Sequence, residues 1–193
     1  MADPAYIDPA TNVLTDGEAW IGLGTTTLGV DTPSVTFTST DDGQVGDFSQ
    51  YMDLVVVTYT RADDGYLRMR FNGDAGSNYE YQQLLGTYSP GAVASTGTTT
   101  YIYSLGVSTA KGANEYAAGY FTISDINSGK YKSVVSQVAA DSNDGNGGIT
   151  LNAATWKSQA AITSVAFIIA SGTNFIAGSQ FSLFGVLPRM VTA

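Results

Sequence analysis

Apolar and polar residues alternate along most of this chain with a period of two, and helical spacing is nearly absent. In Leu67-Arg68-Met69-Arg70-Phe71 the three apolar side chains fall on one side of an extended backbone and both arginines on the other. Val35 and Phe37 alternate with Thr36 and Thr38, and Phe121 and Ile123 with Thr122 and Ser124. Val165, Phe167 and Ile169 share a face, as do Phe181 and Leu183. These segments predict half-buried antiparallel strands. Two runs break the alternation: LVVVTY at 54–59 and VAFII at 165–169 are apolar on both sides. They predict central strands, or strands whose outer face meets another subunit. Further strands are expected near 20–23, 79–86, 100–106, 116–124, 130–138 and 148–152.

Turn residues punctuate the pattern. Asp63-Asp64-Gly65 and Asn127-Ser128-Gly129 sit between strands as hairpin turns, 72–78 is a longer polar loop, and 141–148 (DSNDGNGG) is the most flexible in composition. The stretch Ala153–Ala161 is expected to hold one helical turn anchored by Trp156. About eight to ten strands in one domain indicate an all-β protein, an antiparallel β-sandwich of the jelly-roll kind, over residues 20–193. Residues 1–19, with Pro4 and Pro9, predict an extended N-terminal arm that docks on its own sandwich or embraces adjacent subunits. Tyr6, Ile7, Val13 and Leu14 are its candidate interface side chains.

Composition narrows the setting. Hydrophobic residues make up 44% of the 193, but charged residues only 13%, about half the usual share. A surface so poor in charge suits an extracellular or virion protein, or one that buries much of its outside against neighbours. The net charge of −9 argues against a basic face for nucleic acid or an anionic membrane. No run reaches the roughly eighteen apolar residues of a membrane span, and MADPAYIDPA lacks the layout of a signal peptide, so export by the general secretory route is not expected.

Candidate chemistry is sparse. The chain has neither cysteine nor histidine, which excludes disulfides, Cys/His zinc sites and any Ser–His or Cys–His couple. Its glutamates are Glu18, Glu80 and Glu115, in the arm, on a strand facing outward and in a loop; a hydrolytic carboxylate pair is not expected, nor is any catalytic residue or cofactor. Asp141, Asn143, Asp144 and Asn146 crowd one loop, and Asp41-Asp42 and Asp63-Asp64 form doublets that would suit calcium. Plain turn chemistry accounts for the same residues without a metal. Gly22-Leu23-Gly24 has no following helix or lysine to hold a phosphate. Tyr79, Tyr81 and Tyr88 could line a glycan-binding face, although tyrosine is equally a strand former and an interface residue.

Three segments, YLRMRFNGDAGSNY at 66–79, FTISDINSGKYKSV at 121–134 and the closing stretch at 148–186 with its F.AGS.F.L.G pattern, together resemble a family of tailed-bacteriophage virion proteins with a jelly-roll domain. That closing stretch reads as three strands with no catalytic side chain among them. The resemblance implies a structural role, as capsid decoration (cement) or as part of a tail fibre, and transfers no catalytic residue. A fibre shaft would bring heptads or repeats, and none is visible. The expectation is therefore a non-enzymatic cement protein on the outer surface of the capsid, a homotrimer partnered by the major capsid protein and neighbouring copies of itself. The rival is a tail-fibre or receptor-binding module that recognises host surface glycan.

Overall fold

The computed structural model describes residues 20–62, 65–87, 92–104, 108–109, 114–140, 147–170 and 173–187, with a strand pair at 7–8 and 13–14. In chain order the strands are β1 (Ile7–Asp8), β2 (Val13–Leu14), β3 (Trp20–Thr27), β4 (Ser34–Thr38), β5 (Asp53–Ala62), β6 (Leu67–Phe71), β7 (Tyr79–Thr87) and β8 (Ala92–Thr99). They continue with β9 (Ile102–Ser104), β10 (Ser108–Thr109), β11 (Ala117–Ser124), β12 (Lys132–Ala140), β13 (Gly148–Trp156), β14 (Ser164–Ile169) and β15 (Gln180–Val186). One 3-10 turn, Phe48–Gln50, precedes β5, capped by the Asp47 carboxylate on the Ser49 N–H.

Two sheets form a β-sandwich. The large one runs β3-β15-β5-β11-β12-β13-β7-β8 and the small one β4-β14-β6-β9. The chain alternates between them, from β3 to β4, β5 and β6, and later from β11 to β14 and β15. Two interlocked Greek keys of this kind make a jelly roll. The hairpins β7–β8 and β12–β13 are additions that widen the large sheet on one side. All pairings are antiparallel except that of β10 with β5.

Alternation in the sequence becomes the core directly. Leu67, Met69 and Phe71, then Phe121 and Ile123, Val165 and Phe167, and Phe181 and Leu183 are all buried. Phe167 of the small sheet meets Phe121 and Phe181 of the large one, each at 5.5 Å between ring centres, and Phe175 packs edge-on to Phe181 at 4.9 Å. Both doubly apolar runs are central strands: β5 lies between β15 and β11, and β14 between β4 and β6.

The loop at 72–78 is built from its own polar side chains. Asn72 takes φ 53°, a left-handed conformation that asparagine tolerates, ahead of Gly73 at φ 67°. Its side-chain oxygen accepts from the Thr163 and Ser164 N–H groups at 2.8 and 3.0 Å, tying this loop to the start of β14. Asp74 accepts from the Gly76 N–H at 2.8 Å and from the indole Nε1–H of Trp156 at 2.7 Å.

Two expectations change. The stretch 153–161 does not begin as a helical turn: β13 runs on through Trp156, whose buried ring is nonetheless the expected anchor. The segment Ala92–Thr99, a Ser/Thr/Gly-rich run where no strand is expected, is an edge strand. In the N-terminal segment Ile7 pairs with Leu14 and Asp8 with Val13 in antiparallel register. The rest of that arm, including Tyr6, lies outside the described residues.

Candidate functional site

The large sheet has a second face, turned away from the core, and its composition is unusual. The pairing registers place outward side chains in rows across the eight strands. One row reads Gly22, Phe184, Val55, Thr122, Val135, Ala153, Gln82, Thr96. The next reads Thr25, Ser182, Val57, Tyr120, Gln137, Leu151, Leu84, Ala94, and a third, as far as β7, Thr27, Gln180, Tyr59, Ala118, Ala139, Ile149, Gly86. None of these positions is charged. Among the described residues, the outward charged side chains flank these rows at the strand ends, Asp53 and Glu80 on one side and Arg61 on the other. Glu80 is paired there with Lys157 at 2.8 Å.

Eleven large apolar side chains are strongly exposed among the described residues, and eight of them lie on this one face: Trp20, Val57, Tyr59, Leu84, Tyr120, Val135, Ile149 and Leu151. A sandwich that keeps one sheet face wet normally makes it polar. Here β-branched and aromatic residues occupy both sides of the same strands.

The face has relief. Trp20 stacks on Tyr120 with ring centres 6.3 Å apart and leans on Phe184 at 6.3 Å, while Tyr59 stacks on Tyr116 at 4.7 Å. These rings make a ridge over β3, β15, β5 and β11. Over β12, β13, β7 and β8 short side chains (Ala94, Thr96, Ala153) stand among longer ones (Leu84, Leu151), and the surface sinks between them into a trough with two adjoining hollows of about 540 and 440 Å³. Gln82, Thr96, Val135 and Ala153 belong to both hollows, so the trough is continuous.

A second cluster lies on the other side of the molecule. Tyr103 meets Tyr66 at 5.2 Å, Tyr81 at 5.9 Å and Tyr101 at 6.0 Å, and the Arg68 guanidinium lies 4.0 Å over the Tyr101 ring. Burial, and then the neighbouring phenols, push the Tyr103 hydroxyl well above its usual range.

The sequence-derived candidates fare unevenly. Tyr79 is fully buried: its hydroxyl accepts from the Phe71 N–H and donates to the Asp74 carbonyl, both at 3.1 Å. It therefore cannot present a ring to a glycan, because its outward neighbours on β7 are Glu80 and Gln82. Tyr81 belongs to the Tyr103 cluster, and Tyr88 lies outside the described residues. Among the described residues no cluster of acidic side chains could hold a metal. Asp42 accepts from the Thr40 hydroxyl at 2.6 Å and the Gln44 N–H at 3.0 Å, which is turn chemistry. Asp63, Asp64 and the loop at 141–146 lie outside the described residues. Lys132 is buried, its ammonium donating to the Lys130 carbonyl at the start of β12.

The apolar outer face escapes a reading that seeks only the inner half of each alternation. A signal was present in the doubled valines, Val56-Val57 and Val134-Val135, where one member of each pair must point outward. No protein-family model and no curated protein matches the chain.

Proposed function

We propose that the protein is a non-enzymatic structural component of a tailed-phage virion, a decoration (cement) protein on the outer surface of the capsid, partnered by the major capsid protein and by neighbouring copies of itself. One observation carries this reading: the outer face of the large sheet is broad, apolar and free of charge in a chain of net charge −9. An exposed patch of that extent marks a surface that another protein covers. The likeness of three segments to tailed-phage structural proteins supplies the setting. In this account the sandwich provides the packing surface and the arm, residues 1–19, reaches across capsid subunits through Tyr6, Ile7, Val13 and Leu14. Deleting residues 1–19 is expected to leave a folded sandwich that no longer attaches to heads. Undiminished attachment of the truncated protein would overturn the role of the arm.

A second reading, a receptor-binding module for host glycan, is favoured by the cluster of Tyr66, Tyr81, Tyr101 and Tyr103 beside Arg68. Rings and a guanidinium are suited to sugar faces and acidic substituents. Binding of the purified protein to a glycan array, lost in Arg68→Ala, would support it; a silent array would count against it.

A further inference from the structure

The two halves of the outer face have opposite shapes: a ring ridge on Trp20, Tyr120 and Phe184, and a trough floored by Ala153 and walled by Leu84 and Leu151. We infer that the occupant of this face is a second copy of the chain, related by a two-fold axis that lays the ridge of each copy into the trough of the other. This deepens the reading of the face as an assembly surface and rests on it.

In a two-fold contact, a residue that touches a second position is touched in turn by that position on its partner. A single face must then carry both shapes, side by side about the axis. Ridge and trough meet along the line between β11 and β12, the middle of the eight strands, which puts the axis near Tyr120 and Gln137. Both halves point the same way, so one planar contact uses them together. Three copies around a three-fold cannot share a plane in this manner, and the geometry selects a pair rather than the trimer that shell symmetry suggests.

Charge points to the same occupant. Two copies of a chain carrying −9 repel each other, and they can approach only through a surface from which charge is absent. The three central rows meet that condition, and Asp53, Glu80 and Arg61 flank them at the strand ends, where a rim stays wet. The extent is also sufficient. Eight strands spaced about 4.8 Å apart, with three uncharged outward positions along each, cover roughly 800 Å², matching the ~800 Å² per partner in a stable complex. Two sheet faces meeting at about 10 Å would form a second sandwich core between the copies.

The chain has no cysteine, so Gln137→Cys introduces a single, exposed thiol beside the proposed axis. Under mild oxidation the full-length variant is expected to convert to a covalent dimer, while Thr36→Cys, on the outer face of the small sheet, is not. In sedimentation the unmodified protein should run at twice the 20.2 kDa chain mass, and Leu151→Asp should halve that mass without changing the β-sheet circular dichroism. Monomeric or trimeric wild-type protein, or equal cross-linking at both cysteines, overturns the inference. Should Leu151→Asp unfold, the cysteine pair decides alone, since both replace exposed polar residues. A dimer that fails to attach to heads would sink the virion reading and leave the pairing intact.

Discussion

Trp20 and Tyr120 stack with ring centres 6.3 Å apart although their strands, β3 and β11, are separated in the sheet by two others. Three strand spacings amount to roughly 14 Å, so the rings meet only by lying across β15 and β5. That placement explains why Val55, which points away from the core, is only 1% exposed. The outer face is thus packed over Val55 and open around Val57 and Tyr59 on the same strand. Such large flat rings, held in place by each other, are the residues most enriched at the energetic centres of protein interfaces.

If two copies pair through this face, folding is linked to association. Apparent stability must then rise with protein concentration, because the partner binds the folded chain alone. Thermal unfolding of the wild type over a wide concentration range is expected to show that rise. Leu151→Ser should remove the dependence while changing the stability of the isolated chain by no more than about 0.5 kcal/mol, as for other surface positions.

Trp156 and Asp74 give a prediction about the fold itself. The indole N–H is buried with the rest of the ring, and Asp74 Oδ2 accepts from it at 2.7 Å. That hydrogen bond, with further ones from Asn78 and Gly76, holds the Asp74 carboxyl below the usual carboxylate range. Asp74→Ala strands the donor and is expected to cost about 1–3 kcal/mol in denaturant unfolding at neutral pH. Since the folded-state pKa is depressed, the contribution is full above the ordinary carboxyl pKa and disappears as pH falls through the lower folded value. The gap between wild type and Asp74→Ala should therefore narrow in strong acid.

Alkali acts through Tyr79. Burial raises its hydroxyl from 10.0 to about 12, because a phenolate there would lose its water and the Phe71 N–H and the Arg70 charge make up only part of that loss. The folded state holds the proton more tightly than the unfolded chain, so stability is complete below pH 10.0 and declines as pH rises towards about 12. The full loss is on the order of 3 kcal/mol. Tyr79→Phe should cost about 1–2 kcal/mol at neutral pH through its lost hydrogen bonds, yet flatten the alkaline decline. Urea unfolding at stepped pH would show both effects.

Gly185 is required by close packing. A Cβ there would lie 2.4 Å from Cδ1 of the Tyr51 ring, and that ring is itself buried, with its hydroxyl bonded to the Val45 carbonyl at 3.0 Å. The ring has nowhere to move. Gly185→Ala is expected to cost about 1–3 kcal/mol as overpacking, measured as a lowered denaturant midpoint with unchanged spectroscopic signature.

The inner half of the fold was legible because burial imposes a strict period of two: Leu67, Met69, Phe71, Phe121, Ile123, Val165, Phe167 and Ile169 all point where their spacing places them. β8 was not legible, since an edge strand with one neighbour needs little apolar surface and can be written in Ser, Thr and Gly. Tyr79 misled for a related reason. Strand position alone does not tell which parity faces the core when Glu80 and Gln82 stand between tyrosines and glutamine. The apolar outer face was only half legible, because the sequence marks doubled valines without saying that their strands lie side by side. The pairing of Val135, Ala153 and Gln82 across three strands from distant parts of the chain is a product of topology.

The account stands most directly on whether the outer face is covered in the assembled state. Hydroxyl-radical footprinting of the purified protein, diluted until it sediments as the 20.2 kDa monomer, against the same protein on intact virions reads this residue by residue. Protection at Trp20, Leu84, Val135, Ile149 and Leu151 on the particle, with Val30 and Tyr131 still reactive, is the predicted result. Equal reactivity of those five side chains in both states would contradict it.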